Sequence, residues 1–460
     1  MTTFPRLMLA APRSGSGKTT LVCGLLLAWQ AQGIRPMAFK CGPDYIDPAF
    51  HESVLGVPSR NLDLFFTDEE TTKWLLMRHH QQAEAAVLEG VMGYYDGLSG
   101  GGTRASSYEL AWATETPVVL VISCRGASVS VAAQLKGFLT FRADHHIKGV
   151  IFNELSPSLY PDLKALVEAE LGLAVYGYLP RLADCTLPSR HLGLVGPAEV
   201  ADLRGKWQQL AQAMAQTVDV AGLLALAREA PPLAAAAPAL PKPQARVRIA
   251  VARDRAFCFY YADNLELLTR LGAEVVRFSP LEDSALPEDC DGLYLGGGYP
   301  ELYGEQLAQN EAMRRAIRQA LAAGMPALAE CGGFMYLQER LQDEAGRWHD
   351  MAGVLRGQCT PSGRLRHFGY AQMTALADGL LGNGGSTWPV HEFHYWQSDQ
   401  EGEAFRAKKP CRESAWLCGH SGPRLYAGFP HLYFYACPEL AQRFLAQAAQ
   451  YQQERGGSSC

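Results

Sequence analysis

The sequence predicts an α/β protein of two domains: an N-terminal phosphate-loop domain on a doubly wound parallel sheet, and a C-terminal α/β domain. Three observations predict it. Short apolar runs alternate with amphipathic stretches, the rhythm of buried parallel strands and covering helices. The rhythm stops in a Pro/Ala-rich stretch at residues 229–245 and starts again beyond it. In each half, a glycine-marked turn follows a strand: Ser14-Gly15-Ser16-Gly17-Lys18-Thr19-Thr20 in the first, Ala329-Glu330-Cys331-Gly332-Gly333 in the second.

In the first half, Leu7–Ala11 reads as the opening strand and Thr19–Gln32 as the first helix. Ala85–Glu89, Val118–Ile122 and Gly149–Asn153 are apolar runs of strand length, expected to be buried on both faces. Residues 229–245 lack a periodic apolar face and read as a semi-rigid linker. Beyond it come strands at Arg248–Ala252, Glu274–Phe278, Gly292–Leu295 and Pro326–Ala329, with helices near Ala262–Leu271 and Glu311–Ala323. The domains are therefore expected at 1–228 and 246–445, with a polar C-terminal tail at 446–460.

With 460 residues, 48% hydrophobic and 19% charged, the chain can bury full cores. A net charge of −6 supplies no basic field for nucleic acid. The twelve cysteines are scattered singly without a CxxC pair, the pattern of reduced thiols rather than a disulfide frame. Met1–Ala11 lacks the cationic start of a leader, and no run approaches the ~18 apolar residues of a membrane span. A cytoplasmic enzyme with neither a nucleic-acid nor a membrane partner is expected. The oligomeric state stays open, a homodimer included.

The first turn is built for phosphate. Gly15 and Gly17 permit positive φ, so backbone N–H groups and the following helix N-terminus can surround an anion. Lys18 would neutralise the β- and γ-phosphates of ATP, Thr19 would ligate Mg²⁺, and Thr20 completes the ATP-binding run. Pro12 stands where the usual first glycine of the motif would be. Asp44 and Asp47, in Lys40-Cys-Gly-Pro-Asp-Tyr-Ile-Asp-Pro48, and Glu89, at a strand end, are the candidate Mg²⁺ carboxylates. Ordinary turn chemistry also accounts for Asp beside Pro and Gly.

The second turn has the form of a nucleophile elbow: strand, sharp bend at Cys331, helix. The helix N-terminus is expected to favour thiolate. The Gly332 amide and Gly297, within the run Gly296-Gly297-Gly298, are candidate oxyanion donors, and His431 is the candidate base. His391 and His394 have a spacing that invites zinc, but no further ligand set accompanies them. Arg190 and His191 fall on a loop suited to substrate carboxylates, and Lys40 and Tyr45 are further candidates for substrate binding.

These motifs, with Arg60-Asn-Leu-Asp63, Glu89-Gly-Val-Met-Gly-Tyr-Tyr-Asp-Gly97, Leu187–Val195, Val251-Ala-Arg-Asp-Arg-Ala-Phe257, Leu293–Glu301 and His391-Glu-Phe-His-Tyr395, occur in order along nearly the whole chain. The sequence thereby resembles the cobyrinic acid a,c-diamide synthases, glutamine-dependent enzymes of corrinoid biosynthesis. The resemblance implies a synthetase domain like dethiobiotin synthetase and a class I glutamine amidotransferase domain. It implies Mg²⁺, ATP, L-glutamine and cobyrinic or hydrogenobyrinic acid as the reacting set. It also implies Cys331 as nucleophile and His431 as its base. Class I amidotransferases carry a Glu two residues after the His; here that position is Tyr433, so another group must orient His431. Cobyric acid synthase joins the same two domains but lacks the Gly-Pro-Asp-Tyr-Ile-Asp-Pro context, whereas an a,c-diamide synthase for nickel sirohydrochlorin shares nearly all the motifs. A partitioning-type ATPase shares the first domain but has no use for a thiol elbow.

Overall fold

The computed structural model describes residues 2–99, 101–182, 189–190, 193–194, 203–243 and 246–457. Contacts divide the chain into two compact units, Met1–Pro238 and Ala239–Cys460. No helix among the described residues is long and apolar enough to cross a membrane.

The first unit is built on seven strands: β1 (Arg6–Ala10), β2 (Pro36–Cys41), β3 (Ser59–Leu62), β4 (Ala85–Glu89), β5 (Val118–Ser123), β6 (Ile147–Asn153) and β7 (Ala174–Leu179). They form one parallel sheet in the order β3-β2-β4-β1-β5-β6-β7. Every residue of β1 and β4 is buried, because helices cover both faces. Helix α1 (Lys18–Ala31) packs Leu21, Leu25 and Trp29 into a core shared with Leu7, Leu9 and Val87. Arg6 lies fully buried in β1, with its guanidinium donating to the carbonyls of Thr114 (2.8 Å), Phe4 (3.1 Å) and Pro231 (3.0 Å). Leu233 bridges to Thr2, so the start of the expected linker is tied to the first unit.

Two short strands, β8 (Ser189–Arg190) and β9 (Gly193–Leu194), pair with each other. The second unit then opens with β10 (Val247–Ala252), β11 (Phe257–Phe259), β12 (Ala273–Phe278), β13 (Gly292–Leu295), β14 (Gly297–Gly298) and β15 (Ala327–Glu330). It continues with β16 (Arg340–Gln342), β17 (Trp348–Asp350), β18 (Gln358–Ala375), β19 (Thr387–Ser398), β20 (Phe405–Lys408), β21 (Ala415–Cys418), β22 (His420–Gly422), β23 (Leu425–Gly428) and β24 (His431–Leu432). One sheet runs β12-β10-β13-β15-β23-β22, parallel except for its last pair. A second, built on the long β18–β19 hairpin, ends in β24.

Residues 446–457 are not a tail. They continue the helix Pro438–Gly457, on which Ala448 is buried. Gln452 and Arg455 of this helix hold the carboxylate of Asp291 at 2.9 and 3.1 Å. Polar composition beyond Leu445 hid the continuation of a helix whose buried residues, Leu440, Ala441, Phe444 and Leu445, lie mostly in its first half.

Candidate functional site

In the first unit the loop after β1 adopts the conformation its glycines permit. Gly15 and Gly17 have φ of 75° and 90°. At Gly17 a Cβ would fall 2.1 Å from Asn153 Nδ2, which donates to the Ser16 carbonyl at 2.9 Å. Both the φ and the close approach require glycine there. Lys18 Nζ donates to the carbonyls of Met92 (2.7 Å) and Arg13 (3.2 Å). Burial, with the neighbouring Lys40 charge, lowers the Lys18 ammonium to about 8.

Thr19 Oγ1 donates to Glu89 Oε1 at 2.6 Å, and Lys40 Nζ donates to the same oxygen at 2.9 Å. Lys40 also pairs with Asp47 and lies 3.8 Å from Asp44. Burial works against the Lys40 charge, but Asp47, Glu89 and Asp44 outweigh it and hold the ammonium well above its ordinary value. Burial pushes the Glu89 carboxyl up to about 7; Lys40 opposes the shift and Asp47 adds to it. A cavity of 770 Å³ is lined by Ser14, Gly15, Gly17, Lys18, Thr19 and Thr20 with Lys40, Asp44 and Glu89. Asp47 and Tyr45 are buried and are not part of its wall. Three equivalent carboxylates were expected from sequence; the fold gathers all three around Lys40, with Asp44 and Glu89 on the cavity wall. Lys40, expected from sequence only as a candidate for substrate binding, is the cation among them. Arg190 lies in β8, and His191 lies outside the described residues.

In the second unit β15 ends at Glu330, Cys331 turns at φ 48° and ψ −104°, and the helix Gly332–Leu337 follows. The turn is held by Cys331 N–H donating to the Gly428 carbonyl (2.8 Å) and Gly333 N–H donating to the Gly296 carbonyl (2.9 Å). A Cβ on Gly333 would lie 2.2 Å from the Leu295 carbonyl oxygen, and one on Gly332 would lie 3.0 Å from the Gly298 nitrogen. The elbow therefore rests directly on the glycine run. A Cβ on Gly297 would lie 2.6 Å from His431 Cε1, so the same run also borders the imidazole. Cys331, Gly297, Gly332 and His431 are thus brought to one place.

Burial pushes the Cys331 thiol up, with the Glu301 charge next. Desolvation exceeds the opposing Gly332 N–H bond, so burial acts against the thiolate that the helix N-terminus was expected to favour. His431 Nδ1 lies 3.4 Å from Glu330 Oε2. Tyr433, at the position of the usual acid, sends its hydroxyl to Asp263 at 3.1 Å instead. Asn264 brackets the His431 segment, donating to the Leu432 carbonyl (2.7 Å) and accepting from the Phe434 N–H (2.8 Å). His391 and His394 stand three apart on a strand, which sends them to opposite faces. His391 lies opposite His431. His394 bonds to Glu392 at 2.8 Å and stacks on Phe429.

Residues 7–195 match the CobQ/CobB/MinD/ParA nucleotide binding domain, and residues 248–436 match the CobB/CobQ-like glutamine amidotransferase domain. A nucleotide-binding unit joined to an amidotransferase unit defines a glutamine-dependent ligase. A relative from Caldanaerobacter subterraneus, named cobyrinate a,c-diamide synthase, is 38% identical over 448 residues, 96% of this chain and 98% of its own. Relatives of the same name from Priestia megaterium (38% over 454 residues, 98% of each chain) and Salmonella typhimurium (39% over 453 residues, 96% and 97%) match equally broadly. The chain belongs to the cobyrinate a,c-diamide synthase family.

Proposed function

We propose that this chain uses ATP and glutamine to amidate the a and c acetate carboxylates of cobyrinic or hydrogenobyrinic acid. The observation that carries the reading is a buried thiol on a strained elbow, beside a histidine and a glycine run, in a chain that also holds a phosphate loop. A carboxylate is a poor electrophile. Its oxygen would attack the γ-phosphorus of ATP, releasing ADP and leaving an acyl phosphate. Lys18 and the backbone N–H groups of residues 15–18 would stabilise the charge on the transferring group.

Cys331 would attack the side-chain amide of glutamine while His431 takes the thiol proton and passes it to the departing nitrogen. Gly332 and Gly297 would face the oxyanion. Ammonia leaves, and water hydrolyses the glutamyl thioester to glutamate. The ammonia nitrogen then displaces phosphate from the acyl phosphate, giving the amide. Two amides consume two ATP and two glutamines.

The first-unit residues fit Mg²⁺. On the cavity wall Thr19, Asp44 and Glu89 each offer oxygen, the donor Mg²⁺ prefers. Glu89 Oε2 is moreover a buried oxygen without a hydrogen-bond partner among the described residues. Bound there, Mg²⁺ would supply positive charge to the β- and γ-phosphates. Asp47, paired with Lys40, would fix that ammonium rather than ligate.

Replacing the nucleophile tests the reading. Cys331→Ser should abolish glutamine-dependent amidation and glutamine hydrolysis while amidation from concentrated ammonia continues. Equal loss with both nitrogen donors would refute separate thiol and ATP sites.

A further inference from the structure

We infer that Glu330, the residue immediately before the nucleophile, is the positioning residue that orients the His431 imidazole. The inference rests on the reading of Cys331 and His431 as thiol and base. A histidine that accepts a proton at one ring nitrogen must carry its hydrogen on the other, and a hydrogen-bond acceptor at that second nitrogen selects the tautomer. Glu330 Oε2 stands 3.4 Å from His431 Nδ1, an ion-pair distance from which a small closing movement forms the hydrogen bond, and both side chains are almost fully buried. Its other oxygen is fixed independently: Oε1 accepts from the Tyr294 hydroxyl at 3.2 Å and from the Leu432 N–H at 3.3 Å. The second bond ties the carboxylate to the backbone of the residue that follows the histidine.

The opposite edge of the ring supports the same orientation. A Cβ on Gly297 would meet His431 Cε1 at 2.6 Å and Nε2 at 3.4 Å, so that edge faces the candidate oxyanion strand while Nδ1 faces Glu330. Strand register explains how an acid beside the thiol reaches the base. Glu330 pairs with Gly428 across β15 and β23, and His431 follows Gly428 by one tight turn. Tyr433 is committed to Asp263 and supplies no carboxylate.

Other titratable groups also face this pair, Tyr260 and Tyr426 among them through the Glu330 charge. His391 faces His431 across β19 and β24, and burial, with the charges of His431 and Lys409, holds it well below its ordinary value. Tyr294 donates to Glu330. Glu301 and Glu392 act on the thiol.

The test compares the E330Q and E330D variants with the parent enzyme, reading glutamine hydrolysis against ammonia-dependent amidation by the same protein across pH. Gln keeps the shape but places an amide at Nδ1. It should lower kcat/KM for glutamine hydrolysis by about 10²-fold, the lower range for a positioned general base. It should also shift the pH profile, because the carboxylate no longer favours imidazolium. Asp keeps the charge and should retain the parental profile at an intermediate rate. Parental rate and profile in E330Q would overturn the inference. So would a lowered rate with an unshifted profile that Asp does not improve, since that outcome describes packing alone. If Gln depresses ammonia-dependent amidation as well, the Asp profile decides by the same criterion. C331S separates the two readings. Persistent hydrolysis in C331S refutes the thiol site itself, whereas its loss alongside an unaltered E330Q refutes only the role of Glu330.

Discussion

Gly297→Ala adds one carbon where the structure has no room for it. The new Cβ would lie 2.6 Å from His431 Cε1, 3.4 Å from Nε2 and 3.3 Å from Phe259 Cβ. Carbon atoms in contact sit about 3.5–4.0 Å apart, so roughly 1 Å of movement is needed. Gly297 has no left-handed φ, so the cost is steric rather than conformational. Its strand is paired with Phe259 of β11 and cannot easily retreat, which leaves the imidazole to move. A shift of about 1 Å in a catalytic group costs about 10²-fold in rate, equivalent to about 2.7 kcal/mol. Overpacking of this kind destabilises by about 1–3 kcal/mol. Glutamate release from glutamine, measured beside ammonia-dependent amidation, should show the first falling and the second holding. Gly137, on the helix Ser130–Phe141, has nothing within 4 Å of its Cβ position and serves as the control. Gly137→Ala should leave both activities alone and add up to about 1 kcal/mol of stability. A Gly297→Ala enzyme that hydrolyses glutamine at the parental rate would refute the placement of His431 against the glycine run.

Lys18→Ala should cost about 3 kcal/mol of transition-state stabilisation with either nitrogen donor, while glutamine hydrolysis persists; near-parental amidation would remove the loop from the chemistry. Asp44→Asn and Glu89→Gln should shift the Mg²⁺ dependence of amidation, whereas Asp47→Asn should lower turnover with an unchanged Mg²⁺ response, as a Mg²⁺ titration of the three variants would show. Burial lowers His51 to about 4 from an ordinary 6.5, so the unfolded chain binds a proton that the folded one refuses, and stability is lost as pH falls from 6.5 toward 4. Urea unfolding should show His51→Gln losing about 2 kcal/mol less than the parent between about pH 7 and about pH 5. Cys331→Gly should exceed Cys331→Ala in stability by about 1 kcal/mol, because both lose the thiol but only glycine relieves the φ of 48°; equal unfolding midpoints would mean the elbow is unstrained.

What could be read from the sequence was local. Both turns announce themselves because glycines must stand beside the reactive residue, and the expected strands around them lie within a residue or two of those observed. What could not be read was long-range. Strand β2 was missed because Lys40 interrupts its apolar run, yet that lysine is buried by the carboxylates it neutralises. That Asp44, Asp47 and Glu89 converge on Lys40 was equally hidden, since they come from two segments far apart in the chain. Glu330 was given no role from sequence, because nothing local signals that the next strand carries a histidine back to it. The β18–β19 hairpin also went unread: its pairing depends on residues far apart, and its alternation is broken by charged and aromatic side chains.

Parallel strands explain why residues so distant in sequence converge. All strands of a parallel sheet end at the same edge, so any residue at a strand end meets the residues ending its neighbours. Lys40 pairs in register with Glu89, and Glu89 with Leu9, which places the cation, the carboxylate and the start of the phosphate loop side by side. Asn153, at the end of β6, reaches the Ser16 carbonyl from 137 residues away by the same rule. In the second unit β13 runs into the glycine strand, β15 into Glu330 and Cys331, and β23 into Gly428 and then His431. Each catalytic neighbour is therefore specified by strand order and register rather than by proximity along the chain. A slip of one residue in β15 would reverse the faces of Glu330 and its neighbours. The glycines that let the elbow rest against β14 fix that register, since a Cβ on Gly333 would meet the Leu295 carbonyl oxygen at 2.2 Å. The close approach that shapes the thiol elbow is also what aligns the carboxylate with the base.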